Sequence, residues 1–413
     1  MTAPSDLAPV DLTPVEPDPA DRTPFDPAKL AELDDPFPRY ADLRAEGPVV
    51  TLATGRSAVF GYDTASFVLR DPRFESGTLG LLYASALPPG ALRDEMSRRI
   101  NFLDPPDHPR VRGLVAKAFT PRRVTGLRPW IEATAQQLVD ELVVADGCVE
   151  IMHGLAHQLP SLVISELLGV PVAVRDQLTG LSDAITPVFG TSVSDADRTI
   201  AVAAAEEMHE ILRAEMDRRR CEPADDLLSA LVAVEADGLS HAELMSLVAT
   251  LYSAGHRTTR DLFGNGLELL LTSGVSLDGS VDGRIDAAVI DEITRLATPT
   301  HYVARFAAED VEVGGVPVTA GTPIMVFLAA ANRDPAVYER PDEYDPARGG
   351  RPALSFALGP HFCLGASLAR MEVEVMLTAV AARFPRARAS GVPRRWHQRG
   401  PFRGLDELVV RVD

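Results

Sequence analysis

Phe356-Ala-Leu-Gly359-Pro-His361-Phe-Cys363-Leu-Gly365 holds one cysteine in a glycine-rich turn, and a helix-like run, Ala366-Ser-Leu-Ala-Arg-Met-Glu-Val-Glu-Val, follows directly. A thiolate there would face the free N–H groups and the positive end of that helix, which lower a thiol's pKa. On a short, rigid loop such a thiolate can serve as the axial ligand of an iron porphyrin, pushing electron density toward O–O cleavage. Two other readings compete. Free cysteines are often buried simply for packing. Zinc would need four ligands, and His361 with Cys363 supplies two, in a chain with three cysteines and no C-x-x-C pair.

The order F-x-x-G-x-H-x-C-x-G resembles the haem loop of the cytochrome P-450 family of haem-thiolate monooxygenases, and the resemblance extends over about residues 35–413. It implies one large P-450-type domain, mainly α with a small β region. It implies Cys363 as iron ligand of haem b (iron protoporphyrin IX), with Phe356, Gly359, His361 and Gly365 shaping the loop. Haem propionates need cationic or hydrogen-bonding partners if buried. His108 and Arg112, four apart on one helix face, match the family's H-x-x-x-R, and Arg305 and His361 complete the set that the resemblance implies.

Composition agrees with a soluble globular chain: 413 residues, 46% hydrophobic and 24% charged. Length alone suggests two or three domains, but no linker interrupts the chain after its first thirty residues. We therefore expect a tail at 1–25, rich in Pro and Asp, and a single domain at 26–413. A formal charge of −19 argues against nucleic acid as a partner. Scattered cysteines fit a reducing compartment. No apolar run is long enough to span a bilayer, and the N-terminus lacks a basic-then-apolar leader. The expectation is a cytoplasmic monomer of the soluble bacterial branch. The resemblance also implies electrons from a ferredoxin and its reductase with NAD(P)H, O2, and a small-molecule substrate. Arg110, Arg112, Lys117, Arg122 and Arg123 are candidates for the ferredoxin contact or equally a solvated helix face.

Apolar periodicity predicts helices over roughly 125–145, 155–170, 200–220, 241–272 and 365–384, with strands near 49–52, 58–61 and 324–327. Asp310-Val-Glu-Val-Gly-Gly-Val-Pro-Val alternates around a Gly-Gly turn, as a hairpin should. Ser240-His-Ala-Glu243 reads as a capping box opening a helix that runs to Thr272. That helix contains Ala254-Gly255-His256-Arg257-Thr258-Thr259, where threonines can bond back to a preceding carbonyl and bend it. The resemblance makes this an oxygen-binding groove, with Ala254, Gly255, Arg257 and Thr258 as candidate catalytic positions. A notch for packing another helix is the competing reading. Glu292, Arg295 and Arg348 match the family's buried three-member network, with Tyr344 where phenylalanine is commoner.

Arg257 departs from the pattern, since the family carries an acid before the groove threonine to relay protons. Arginine stays charged and cannot relay by titrating. Three expectations follow: Arg257 pairs with Asp261 while water and Thr258 deliver protons; Arg257 clamps a substrate carboxylate, as in the peroxide-using branch; or the reaction is a coupling, ring closure or desaturation. A haem- or ligand-binding protein without oxidase activity is the non-enzyme alternative. Segments 78–83, 185–189, 251–253, 300–303 and 400–402 are expected to meet the substrate, with His301 and Tyr302 as orienting donors.

Overall fold

Ser240 starts the helix that organises the molecule. Its hydroxyl accepts from the Glu243 N–H, and the Glu243 carboxylate accepts from the Ser240 N–H at 2.8 Å, so the expected capping box is present. The computed structural model describes residues 25–27, 29, 33–190, 193–235, 238–274, 280–281 and 283–413, with only the backbone at 280 and 281. Eight helices place the site: α1 (Phe37–Glu46), α2 (Asp107–Ala118), α3 (Gln158–Leu168), α4 (Val172–Ile185), α5 (Asp195–Cys221), α6 (His241–Thr272), α7 (Ala287–Leu296) and α8 (Ala366–Arg383). At 1.5 Å per residue the 32 residues of α6 span about 48 Å. Most of α6 is buried on every side, as a helix that crosses the interior must be.

The small β region is a five-stranded sheet made of β1 (Val50–Thr51), β2 (Ser57–Val59), β3 (Phe74–Glu75), β4 (Val303–Ala307) and β7 (Pro323–Val326), in the order β1-β2-β7-β4-β3. Only the β2–β7 pair is parallel. The expected hairpin forms between β5 (Val311–Val313) and β6 (Val316–Val318). Gly314 and Gly315 both have positive φ at its turn, which glycine alone adopts without strain. A second hairpin, β8 (Arg395–Arg399) and β9 (Phe402–Glu407), packs against α6.

Apolar side chains of α3 to α8 form the main core. A smaller aromatic core joins α1 to the sheet, with Phe60 stacked on Phe327 at 4.4 Å. The expected tail, 1–25, lies outside the described residues except for Phe25. That ring is buried in the aromatic core against Tyr40, Phe60 and Phe327. Among the described residues no single helix is long and apolar enough to cross a membrane.

Glu292, Arg295 and Arg348 come together as anticipated. The Glu292 carboxylate accepts from Arg295 Nε at 2.8 Å and Nη2 at 2.7 Å, and from Arg348 Nε at 3.2 Å. Arg295 also donates to the carbonyls of Asn332, Pro341 and Glu343 and stacks on Tyr338. The network ties α7 to the loop that precedes the cysteine segment.

Candidate active site

Midway along α6 the burial pattern breaks. Leu251, Ser253, Ala254, Gly255 and Thr258 are accessible although their neighbours along the helix are not. Leu251, Ala254 and Thr258 share one face at helical spacing, and an exposed stripe inside a buried helix marks an internal cavity. Thr258 Oγ1 donates back to the Ala254 carbonyl at 3.1 Å, the back-bond read from the sequence, while the helix remains continuous. Gly255 serves packing: a Cβ there would meet Ile164 of α3 at 2.8 Å. Gly255 thus fits the notch reading, while Ala254 and Thr258 line open space.

The cysteine loop is built as a rigid cradle. Gly359 sits at φ +72°, and a Cβ there would strike the Leu69 carbonyl at 2.5 Å. The Cys363 N–H donates to the Phe356 carbonyl at 2.9 Å. Gly365 is the N-cap of α8, and its N–H hydrogen-bonds the Cys363 sulfur. Cys363 is accessible to solvent, yet enough protein surrounds it that burial pushes its thiol up, against the opposing effects of Gly365 N–H and Arg112. Access combined with enclosure is what a cavity-lining side chain shows. The expected depression by the helix end is thus outweighed in the protein alone; desolvation of the thiolate is the larger effect. A cation facing the sulfur would reverse the balance.

Beside the loop lie four nitrogen-bearing side chains. His108 and His361 pack ring to ring at 4.2 Å. Arg112 Nη2 donates to the Phe362 carbonyl at 2.6 Å, next to the cysteine. Arg305 is buried, and Nη1 donates to the Ala304 carbonyl at 2.8 Å. Burial pushes Arg305 down to about 10. Burial, Arg305, His108 and Arg112 together push His361 down to about 3, and burial followed by Arg112 lowers His108. Asp104 is the carboxylate that acts on this group, and its oxygens already accept from the Ser76 and Gly77 N–H groups. His108 Nε2 is buried without a partner. Crowded positive charge with an orphaned donor site fits a bound dianion, which is what two haem propionates present.

The five apolar segments converge. Tyr83 contacts Phe102 at 5.5 Å and Phe189 at 5.7 Å. A Cβ on Gly400 would meet the Phe189 carbonyl at 2.6 Å, and Thr300 bridges to Phe402. Sequence reasoning missed Arg99, which lies over the Phe189 ring at 5.0 Å, reaches Ser253 Oγ at 3.3 Å and is held by Glu95. The Glu95–Arg99 spacing was the available signal. His301 and Tyr302, expected as orienting donors, are buried. Their side chains turn into the aromatic core, where His301 Nδ1 bonds Tyr40 Oη at 2.8 Å and Tyr302 packs on Phe327. A separate groove of about 770 Å3, lined by Phe37, Arg44, Glu268, His301, Trp396 and Arg403, lies away from Cys363 and Thr258.

Arg257 does not pair with Asp261. It donates through Nη2 to Asp183 of α4. Asp261 is fully buried beneath β8 and β9, where Arg260 Nε donates to it at 2.7 Å and His397 Nε2 stands 3.4 Å away. Adjacent Arg260 takes Oδ1 of that carboxylate, whose buried Oδ2 has no partner, and Arg257 turns to the facing helix. Of the basic cluster, Arg110 is occupied by Asp107 and Glu243 and Arg123 by Asp225, while Lys117 and Arg122 are exposed.

A family model described as cytochrome P450 matches residues 286–394. The 6-deoxyerythronolide B hydroxylase of Saccharopolyspora erythraea is 38% identical over 91% of this chain and 95% of its own length. The chain is a cytochrome P450. The P450 monooxygenase PikC of Streptomyces venezuelae is 37% identical, over 91% of each chain. The crystal structure of CalO2 superposes on this P450 with a TM-score of 0.88 at 30% identity, covering 95% of this chain and 99% of that one. This P450 is an oxidoreductase whose family binds haem, O2 and small organic molecules, and its relatives work in secondary metabolism.

Proposed function

We propose that this P450 takes electrons singly from a ferredoxin, reduced in turn by a ferredoxin reductase with NAD(P)H. It inserts one atom of O2 into a medium-to-large secondary metabolite, as a cytoplasmic monomer. The observation that carries the reading is an accessible but enclosed Cys363 beside Arg112, Arg305 and the His108–His361 pair. Haem bound there supplies a thiolate-ligated iron that activates dioxygen.

This chain's own residues do the rest. Arg112 and Arg305 offer charge-assisted hydrogen bonds to propionates, and the orphaned His108 Nε2 gains a partner. The Thr258 hydroxyl, its proton directed at the Ala254 carbonyl, accepts a hydrogen bond from water in the groove. Tyr83, Phe102, Phe189 and Leu251 give the substrate an apolar wall and exclude water. The 6-deoxyerythronolide B hydroxylase reported above supports hydroxylation as the reaction type. Arg257 is a poor clamp for a substrate carboxylate, because its unpartnered Nε and Nη1 are sealed from solvent. That weighs against an atypical, peroxide-using oxidase.

Reduced, carbon-monoxide-treated protein should display the red-shifted absorption of thiolate-bound haem, and Cys363→Ser should abolish it. A Cys363→Ser protein that keeps the band would end the haem-thiolate assignment.

A further inference from the structure

Between the apolar wall and α6 sits a cation whose surroundings hold it still. Glu95, in the short helix Ala91–Met96, accepts at Oε1 from Arg99 Nε at 2.8 Å and from Arg99 Nη2. Its Oε2 stands 2.7 Å from His209 Nε2 of α5, and its main-chain carbonyl accepts from Ser246 Oγ of α6 at 3.0 Å. Side-chain exposures are 0% for Glu95, 6% for Arg99 and 8% for His209, so water cannot prise the group apart. Burial pushes the Glu95 carboxyl up, but the Arg99 charge and the His209 contact outweigh it and keep it ionised. The guanidinium lies over the Phe189 ring, which packs on Tyr83 and Phe102. Its Nη2 also reaches Ser253 Oγ, one of the accessible positions in the break of α6. That leaves Nη1. Among the described residues it has no hydrogen-bond partner, and unlike Nε and Nη1 of Arg257 it is not sealed from solvent. Both of its N–H donors remain to be used.

We propose that Arg99 sets the substrate specificity of this P450 by donating from Nη1 to a carbonyl oxygen of the substrate. The inference rests on the monooxygenase reading above. A substrate that offers no acceptor strips water from a charged donor without replacing it, so such molecules are rejected. A carbonyl oxygen restores the bond, and its direction is fixed because Glu95 and Phe189 keep the guanidinium from turning. Glu95 already neutralises the guanidinium, and a substrate carboxylate would enter an enclosed site beside a like charge. The seat therefore suits an uncharged ketone, ester or lactone oxygen in an otherwise apolar molecule. Arg99 binds and orients; it takes no part in oxygen activation.

The test uses haem-loaded protein and N-alkylimidazoles of graded chain length, whose ring ligates haem iron and red-shifts its absorption while the tail lies in the cavity. One series ends in plain alkyl, one carries a ketone in place of the penultimate methylene, and one ends in a carboxylate. Dissociation constants come from titrating the absorption shift, beside the thermal midpoint. Wild type is expected to bind the best ketone about tenfold tighter than the alkyl of equal length, the worth of one charge-assisted hydrogen bond, and tighter than the carboxylate. Glu95→Gln/Arg99→Met removes both charges together and leaves His209 an amide to bond. It is expected to lose the ketone preference while binding the alkyl series within about twofold of wild type. A wild type that binds ketone and alkyl alike at every length overturns the proposal, and so does a double variant that keeps the preference. A carboxylate that binds tighter than the ketone overturns the uncharged class. Should the double variant fail to hold haem, Arg99→Lys decides: Glu95 claims its single nitrogen, so a retained ketone preference there overturns the proposal as well. Alkylimidazoles that leave the wild-type absorption unmoved would sink the haem-thiolate reading instead.

Discussion

Replacing Glu292 with Gln removes the negative charge from between two guanidinium groups and leaves the side-chain shape. Side-chain exposures are 5% for Glu292, 3% for Arg295 and 8% for Arg348, so water cannot replace the lost carboxylate. Breaking a buried ion pair by removing one partner costs about 3–5 kcal/mol. The amide oxygen of Gln keeps one acceptor, and Arg295 retains three carbonyl partners. We place the loss at about 3 kcal/mol, roughly a hundredfold in the folding constant and a large share of a typical 5–15 kcal/mol. Urea denaturation followed by circular dichroism measures it. Arg340→Ala is the control: its pair with Glu343 is 58% and 59% exposed and should change stability by less than about 1 kcal/mol.

Acid gives a second readout of the same change. Burial pushes the Glu292 carboxyl up, but hydrogen bonds from Arg295, the Asp345 N–H and Arg348 outweigh it and hold it below the usual range. A depressed folded value gives stability that is fully present above the unfolded value of about 4.3 and is lost as pH falls through the folded one. Glu292→Gln should flatten the acid limb in that window. A variant that unfolds at the same urea concentration as the Arg340→Ala control would refute the argument that water cannot replace the buried carboxylate.

Gly359→Ala forces a Cβ onto the Leu69 carbonyl at positive φ, so it should cost at least about 1–2 kcal/mol and weaken the carbon-monoxide band. Gly349→Ala, with φ +62° but open space, should cost less in the same thermal scan. Arg305→Met should speed transfer of haem to apomyoglobin about ten- to a hundredfold, the worth of one charge-assisted hydrogen bond, and an unchanged rate would remove Arg305 from the binding set. Ser240→Ala should lower stability by about 1 kcal/mol through loss of the cap, seen as a lower thermal midpoint without a change in the haem spectrum.

Local chemistry made much of this legible. The capping box, the Gly-Gly hairpin and the glycine cradle around Cys363 each follow from residues within about ten positions of one another. Spacing also put Glu292 and Arg295 on one helical turn, although their burial came from elsewhere. What stayed hidden was partner choice across the chain. Arg257 could reach Asp261 on its own helix, and nothing local says that Arg260 takes that carboxylate while Asp183, 74 residues away, receives Arg257. His301 looked like a substrate donor because its destination, Tyr40, is 261 residues distant. The helix end beside Cys363 was visible, but the competing desolvation depended on how much protein encloses the sulfur.

Positions along α6 answer to different constraints. Gly255, Gly264 and Gly266, spread around the helix, leave no room for a methyl group unless Ile164, Met152 or Ile293 moves. Leu251 and Ala254 touch open space instead. Their identity bears little on whether the chain folds. This strip is where new molecules can be accommodated by single replacements, with the scaffold left indifferent to the choice.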